Sequence, residues 1–237
     1  MKKTLRIQNT VLALNGLLIV AVFVLNYFYQ SNGFDYTLKC ICSAGFALLG
    51  LINLGYAFWS KQENRRFYIA MTAGLLLAMF GDVAININFI VGAGLFAIGH
   101  VCFVIAYCFL QRVKWLELVI SGIVFLGASA FLLFFPLLEF PQPIFKWVCI
   151  VYALIISLML GKATANFIYE RNMFYAIIAV GSVLFFFSDL MLVFDRFIGL
   201  WSWTNEACMA TYYPALCLLA FSMYYKTRQK EQSEKSA

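Results

Sequence analysis

The sequence contains a succession of hydrophobic stretches, each long enough to cross a lipid bilayer. A transmembrane α-helix needs about 17–25 predominantly apolar residues. Eight stretches meet this requirement: Thr10–Tyr29, Tyr36–Ser60, Phe67–Ile85, Phe89–Leu110, Leu116–Phe135, Ile144–Ile168, Met173–Phe197 and Glu206–Tyr225. Because a chain inside a bilayer must satisfy its own backbone hydrogen bonds, apolar stretches of this length favour helices. The sequence therefore predicts an all-α fold, a polytopic membrane helical bundle with about eight transmembrane helices.

The composition excludes an ordinary soluble protein. Of the 237 residues, 64% are hydrophobic and 12% are charged, whereas a soluble domain carries roughly 25% charged residues. The hydrophobic stretches use nearly the whole chain, so we predict a single transmembrane domain over residues 1–225 and a polar, disordered cytoplasmic tail over residues 226–237. The net charge of +6 lies mainly in the connections and the tail, where we expect it to serve membrane orientation rather than nucleic-acid binding.

The basic residues alternate with the hydrophobic stretches in a way that predicts the topology. Most of them fall on one side of the bilayer: Lys2, Lys3, Arg6, Lys61, Arg65, Arg66, Arg112, Lys114, Arg171, Lys226, Arg228, Lys230 and Lys235. Under the positive-inside rule this side is cytoplasmic. Both termini are then cytoplasmic, which agrees with an even number of spans. We expect a multi-pass protein of a bacterial inner (cell) membrane, surrounded by membrane lipids, and the sequence leaves its oligomeric state open.

Ionisable residues inside such stretches are costly and point to function. Asp82 and His100, the only histidine of the chain, lie in two consecutive stretches, and Asp189 lies in the seventh. With Lys39 they are predicted to converge in the outer half of the bundle, in one buried polar pocket. Lys162 lies toward the cytoplasmic end of its stretch, where we expect its long side chain to reach the interface.

The depth of His100 relative to Asp82 depends on the turn between their helices. At about 1.5 Å per residue, His100 lies roughly 15 Å inside a helix that begins near Phe89. If the turn is centred near residues 89–91, the two side chains lie at similar depth. If it is centred nearer Ile87, they are offset by about two helical turns and need water or substrate between them.

Further residues are candidates for substrate binding. Arg196 follows Asp189 by seven residues and so shares its helical face, while Tyr212 and Tyr213 lie early in the last stretch. We assign Lys39, Arg196, Tyr212 and Tyr213 to substrate binding. Catalytic zinc usually has three protein ligands that are rich in histidine or cysteine. One histidine and two carboxylates match this requirement poorly, so we predict no metal and no cofactor.

Two segments of the sequence resemble a known family. The string AMFGDVAI followed by GAGLFAIGHVCFVIAY, with Gly81, Asp82, Phe96, Gly99 and His100, resembles the signature of the lysoplasmalogenase-like (YhhN-type) integral membrane family. The later string AVGSVLFFFSDLMLVFDRF, with Gly181, Phe185, Ser188 and Asp189, resembles the second conserved block of that family. Tyr212 and Tyr213 resemble a third, weaker block.

The resemblance implies an eight-span hydrolase that cleaves the vinyl ether bond of lysoplasmalogens, a class of lysophospholipid, to a fatty aldehyde and a glycerophospho-head-group. The residues suit this chemistry, because vinyl ether hydrolysis needs an acid and a carboxyl group shielded from water can remain protonated. We predict Asp82, His100 and Asp189 as catalytic. One acid would donate the proton, the other would stabilise the cation, and His100 would deliver or deprotonate water.

Two alternatives remain open from the sequence. The protein could hydrolyse another lysophospholipid, such as an ester-linked one, and would then release a fatty acid in place of an aldehyde. It could also be a non-enzymatic lipid-binding or proton-coupled transport protein, in which the same polar residues would form a relay or a lipid site.

Overall fold

The described part of the chain consists of eight helices. The structure is a computed structural model and describes residues 2–33, 35–199 and 203–236. The helices are α1 (Lys2–Ser31), α2 (Tyr36–Trp59), α3 (Arg65–Ala84), α4 (Phe89–Leu110), α5 (Trp115–Phe134), α6 (Pro143–Glu170), α7 (Met173–Phe197) and α8 (Trp203–Ser236). Each is long and apolar enough to cross a membrane, and within these ranges there is no β-strand. The predicted all-α bundle of eight spanning helices is confirmed, while the cytoplasmic position of the termini stays a prediction.

Side chains just before several helices explain where those helices begin. The carboxylate of Asp35 accepts hydrogen bonds from the backbone amides of Thr37 and Leu38 (2.7 and 3.0 Å) at the start of α2. The amide oxygen of Asn88 accepts from Ile90 and Val91 (3.0 and 3.2 Å) at the start of α4. Such N-caps satisfy amide groups that have no partner inside the helix. They determine at which residue the helices carrying Lys39 and His100 begin.

Six of the helices pack in a closed circuit, in the order α2, α3, α4, α6, α7, α8 and back to α2. Helix α1 lies outside this circuit against α2 and α8, and the backbone of α5 approaches only α6 among the described helices. Large apolar side chains, such as Leu17, Phe80, Leu126 and Phe134, are more than half exposed. Exposed apolar side chains of this number are expected where lipid, not water, is the solvent.

Helix α5 is attached to α6 by a buried ion pair that the sequence did not suggest. The ammonium group of Lys162 contacts the Glu117 carboxylate and donates to the carbonyl of Arg112 at 3.0 Å. Both side chains of the pair are buried. The expectation that Lys162 extends to the interface is therefore wrong. A buried lysine is stabilised by a partnered carboxylate, and Glu117 is positioned for this in the first turn of α5.

Helix α8 extends past the hydrophobic stretch into the polar C-terminal segment, whose cytoplasmic position stays a prediction. Helix α8 continues without interruption to Ser236. Its last part is held by side-chain contacts: Glu231 accepts hydrogen bonds from Tyr56 (3.1 Å) and Ser60 (2.7 Å), and Thr227 donates to the Tyr68 hydroxyl (3.0 Å). These partners, which lie on α2, directly after α2 and on α3, explain why a polar segment remains helical beyond the hydrophobic stretch.

Candidate active site

The four ionisable residues predicted to converge, Lys39, Asp82, His100 and Asp189, form two clusters and not one pocket. The first, which we call the Lys39 cluster, consists of Lys39, Ser43, Asp82 and Tyr213. The Lys39 ammonium group lies 2.9 Å from Oδ1 of Asp82. Oδ2 of Asp82 accepts hydrogen bonds from the hydroxyls of Ser43 and, at 3.4 Å, Tyr213. Both carboxylate oxygens of Asp82 are therefore occupied, and the cluster joins α2, α3 and α8.

The second cluster, which we call the Asp189 cluster, consists of His100, Tyr152 and Asp189. Nε2 of His100 lies 2.7 Å from the Tyr152 hydroxyl and 3.2 Å from Oδ2 of Asp189. The Tyr152 hydroxyl donates to the same Oδ2 at 2.7 Å. Nδ1 of His100 lies 3.3 Å from the sulfur of Met159. The three functional groups form a closed triangle between α4, α6 and α7, and Oδ1 of Asp189 has no hydrogen-bond partner among the described residues.

Aromatic rings lie between the two clusters. The rings of Phe185 and Tyr212 have centroids 5.6 Å apart. Phe185 contacts the imidazole of His100 at 4.5 Å, and Tyr212 contacts Tyr213 at 5.1 Å. Within the described chain, no hydrogen bond or ion pair joins the Lys39 cluster to the Asp189 cluster. Asp82 and His100 do not meet directly.

The turn between α3 and α4 accounts for this separation. It occupies residues 85–88, so Asp82 is two residues from the end of α3 while His100 is eleven residues into α4. Of the two possibilities left open by the sequence, the structure adopts the one with offset depths. The turn is tight: a Cβ atom on Gly92 would lie 2.4 Å from Cα of Ile85, so only glycine allows this close approach.

The Asp189 cluster borders an apolar cavity. The cavity has a volume of about 70 Å³ and is lined by residues of α4, α5, α6 and α7 together with Ile85. Asp189 and Tyr152 are in its wall, whereas His100 is completely buried behind them. Nearly all other lining residues are apolar, among them Phe89, Phe131 and Ile156. The site therefore combines a carboxyl group with an apolar space.

The cavity lies where the backbones of α5 and α7 are apart. Across this gap the two helices touch through aromatic side chains: Phe131 on α5 has its ring centroid 5.2 Å from that of Phe194 on α7. Many other side chains of α5 are large, apolar and exposed, such as Leu126 and Phe134.

The remaining predicted residues are distributed between the two regions. Arg196 is exposed at the C-terminal end of α7, with its guanidinium carbon 5.8 Å from the centroid of the Phe89 ring. Tyr212 belongs to the aromatic layer, and its hydroxyl donates to the carbonyl of Ala78 at 3.4 Å. Lys39 and Tyr213 belong to the cluster around Asp82. Among the described residues, no group of three or more histidine, cysteine, aspartate or glutamate side chains is placed to hold a metal ion.

Sequence reasoning missed Tyr152. The residue lies in the middle of a hydrophobic stretch, nine residues after Pro143, well away from the helix ends. Interfacial tyrosines place their hydroxyl in the head-group region, but a tyrosine at this depth needs a hydrogen-bond partner inside the protein. That requirement is the signal that could have connected Tyr152 with His100 and Asp189.

Comparison with known proteins agrees with the resemblance noted in the sequence. The model of the YhhN family matches residues 42–223. Searches of curated proteins and of solved structures returned no match. The matched segment covers well over half of the chain and includes Asp82, His100, Tyr152 and Asp189, whereas Lys39 precedes it. The chain therefore belongs to the YhhN family, the family that contains lysoplasmalogenases.

Proposed function

We propose that this protein hydrolyses the vinyl ether bond of lysoplasmalogens, with Asp189 as the proton donor. The observation that carries the proposal is the position of Asp189 in the wall of an otherwise apolar cavity, with one carboxyl oxygen held by Tyr152 and His100. The substrate has a matching form, since its alkenyl chain is apolar and its reactive double bond must meet an acid.

The proposed reaction uses one proton from Asp189 and one water molecule. Asp189 gives its proton to the alkene carbon that is not bonded to the ether oxygen, and the double-bond electrons form the new C–H bond. The ether oxygen stabilises the resulting oxocarbenium ion. Water then attacks the cationic carbon and returns a proton to the Asp189 carboxylate. The hemiacetal so formed breaks its bond to the glycerol oxygen, which takes up the hydroxyl proton, and releases an aldehyde. General acid catalysis of this kind contributes about 10²–10⁴-fold in rate.

Arg196 is suited to bind the phosphate of the head group. Its guanidinium group lies over the ring of Phe89, which lines the cavity. It follows Asp189 by seven residues on α7, a separation of about 10 Å along the helix axis. This is comparable to the length of a glycerophosphate unit. Arginine binds phosphate oxygens through paired N–H groups, so the head group would lie at the helix end and the vinyl ether at Asp189.

The Lys39 cluster has a different part in this proposal. Asp82 is not in the cavity wall, and both of its oxygens are occupied by Lys39, Ser43 and Tyr213. An acid that must approach the substrate needs a free oxygen, which Asp82 lacks. We therefore assign Asp82 to holding α2, α3 and α8 together beside the site, in place of one of the two acid roles expected for Asp82 and Asp189.

The test is a product analysis with purified protein in detergent. Lysoplasmalogen and the matching ester-linked lysophospholipid are supplied separately, and fatty aldehyde and fatty acid are both measured. We expect aldehyde from the vinyl ether substrate. Asp189→Asn, which keeps the shape of the side chain but cannot donate an acid proton, should reduce aldehyde release at least 10³-fold.

Each other result has a definite meaning. Fatty acid from the ester substrate without aldehyde would establish the ester-hydrolase alternative. Binding of lysoplasmalogen without any product from wild-type protein would favour a lipid-binding or transport role. Full aldehyde release by Asp189→Asn would exclude Asp189 as the proton donor.

A further inference from the structure

We propose that Tyr152 is a positioning residue that joins His100 to Asp189 and directs the acid proton of Asp189 into the cavity. This inference rests on the proposed function and adds to it a residue on α6. Neither sequence block that resembles the family contains Tyr152.

The geometry places the Tyr152 hydroxyl between the two other groups. It lies 2.7 Å from Nε2 of His100 and 2.7 Å from Oδ2 of Asp189, whereas Nε2 and Oδ2 are 3.2 Å apart. Both contacts through the hydroxyl are thus shorter than the direct one. A tyrosine hydroxyl donates one hydrogen bond and can accept another. Tyr152 can therefore donate to Asp189 while it accepts from the imidazole N–H.

This arrangement distinguishes the two carboxyl oxygens of Asp189. Oδ2 accepts from Tyr152 and faces His100, while Oδ1 has no partner among the described residues. An oxygen that already accepts hydrogen bonds is the poorer position for a proton, so the acid proton of Asp189 belongs on Oδ1. When that proton leaves for the substrate, the hydroxyl of Tyr152 and the N–H of His100 stabilise the carboxylate that forms.

Tyr152 is also the link between His100 and the cavity. The imidazole has no exposed surface, and it is packed against the rings of Phe185 and Phe103 and the sulfur of Met159. The cavity wall contains Tyr152 and Asp189 but not His100. His100 consequently acts on the reaction through Tyr152 and Asp189. The delivery of water, which was expected of His100, is assigned to these two residues.

The first experiment observes the contact directly and needs no substrate. Since the chain has a single histidine, ¹⁵N-histidine labelling of the full-length protein reports the ring nitrogens of His100 alone. We compare wild type with Tyr152→Phe, which removes only the hydroxyl. The matched control is Tyr107→Phe: Tyr107 is a fully buried tyrosine, and its hydroxyl lies 3.1 Å from Ser182 instead.

We expect the Nε2 resonance of His100 to shift in Tyr152→Phe and to remain in place in Tyr107→Phe. This shift reports the contact between the Tyr152 hydroxyl and Nε2 of His100. An Nε2 resonance that is the same in wild type and Tyr152→Phe would overturn the inference, whatever the activity of the protein.

The second experiment measures aldehyde release by the same three proteins. Loss of one preorganised hydrogen bond to a developing negative charge costs roughly 10²–10³-fold in kcat, and we expect a loss of this size in Tyr152→Phe with KM changed by less than about threefold. Tyr107→Phe should retain its kcat. Wild-type kcat in Tyr152→Phe would overturn the inference and leave the proposed function intact, whereas absence of aldehyde from wild type would overturn the proposed function itself.

Discussion

The Lys39 cluster and the Asp189 cluster are built from the same kinds of groups, but only the carboxylate of the second borders the apolar cavity. In each, a buried carboxylate receives hydrogen bonds from a hydroxyl group and lies beside a basic side chain. Both oxygens of Asp82 are occupied, and Asp82 is not among the residues that line the apolar cavity. Asp189 lies in the wall of that cavity, and its Oδ1 has no hydrogen-bond partner among the described residues. Access to the apolar cavity, rather than burial of an ionisable group, separates the candidate catalytic group from the structural one.

The largest effect on stability should come from breaking the pair in the Lys39 cluster. Asp82→Asn leaves the ammonium group of Lys39 buried without its counter-charge, which costs about 3–5 kcal/mol for a buried pair. The double variant Lys39→Met/Asp82→Leu removes both charges and should recover most of that loss. The hydroxyls of Ser43 and Tyr213 then still donate to the carbonyl of Lys39, at 3.0 and 3.4 Å. Thermal unfolding in detergent measures all of these changes.

The matched control for this prediction is Asp189→Asn. The amide oxygen of the introduced asparagine can still accept a hydrogen bond from the Tyr152 hydroxyl. The unfolding temperature should therefore change little, although aldehyde release is lost. An unfolding temperature of Asp82→Asn equal to that of Asp189→Asn would contradict the distinction between the clusters. Failure of the double variant to regain stability would show that the two charges are not what the site requires.

A smaller effect, on substrate preference, should follow from filling the cavity. Ala153 lines it next to Tyr152, and Ala153→Leu places three additional carbon atoms in the space offered to the alkenyl chain. We expect KM for a long-chain substrate to rise roughly tenfold, because each displaced methylene group of the chain costs on the order of 1 kcal/mol. A short-chain substrate should be affected less. Steady-state aldehyde release measures both.

The control for the cavity is Ala130→Leu. Ala130 is exposed on α5 and does not line the cavity, so the same enlargement there should leave the preference for chain length unchanged. Equal effects of the two substitutions, or equal effects on short and long chains in Ala153→Leu, would argue that the cavity does not hold the chain.

Much of the fold could be predicted from the sequence because one physical requirement determines it. Helices that cross a bilayer need long apolar stretches, and α4 and α7 begin and end at the predicted residues, Phe89–Leu110 and Met173–Phe197. The sequence allowed two depths of His100 relative to Asp82, a similar one and one offset by about two helical turns. Which of them occurs depends on a tight turn made possible by Gly92, and sequence patterns locate a turn only to within a few residues.

The composition of the site was less predictable, since it depends on which faces of the helices meet. Asp189 and His100 could be identified as unusual in apolar stretches, but Tyr152 looks like an ordinary aromatic residue until its helix is placed beside α4 and α7. Glu117 lies at a helix start, where an acidic residue is unremarkable, and its pairing with Lys162 needs the contact between α5 and α6. Hydropathy predicts which residues lie in the membrane, but not which of them meet.

The smallest effect concerns Asp35, whose hydrogen bonds to the start of α2 help to place Lys39. Asp35 accepts from the amides of Thr37 and Leu38, and these bonds hold the pKa of its carboxyl group below the ordinary value of 3.8. A carboxyl group whose pKa is lowered by folding stabilises the fold above its unfolded pKa, and this contribution disappears as the pH falls through the folded pKa. We therefore expect Asp35→Ala to lower the unfolding temperature slightly at neutral pH and to match wild type at strongly acidic pH.

The control for Asp35 is the uncharged cap of α4. Asn88 accepts equivalent hydrogen bonds from Ile90 and Val91 but does not titrate, so Asn88→Ala should lower the unfolding temperature by the same amount at neutral and acidic pH. If the difference between Asp35→Ala and wild type were also independent of pH, the charge of Asp35 would have no part in holding the first turn of α2. The Lys39 cluster would then depend on its own ion pair and hydrogen bonds for its position, as the Asp189 cluster does on Tyr152.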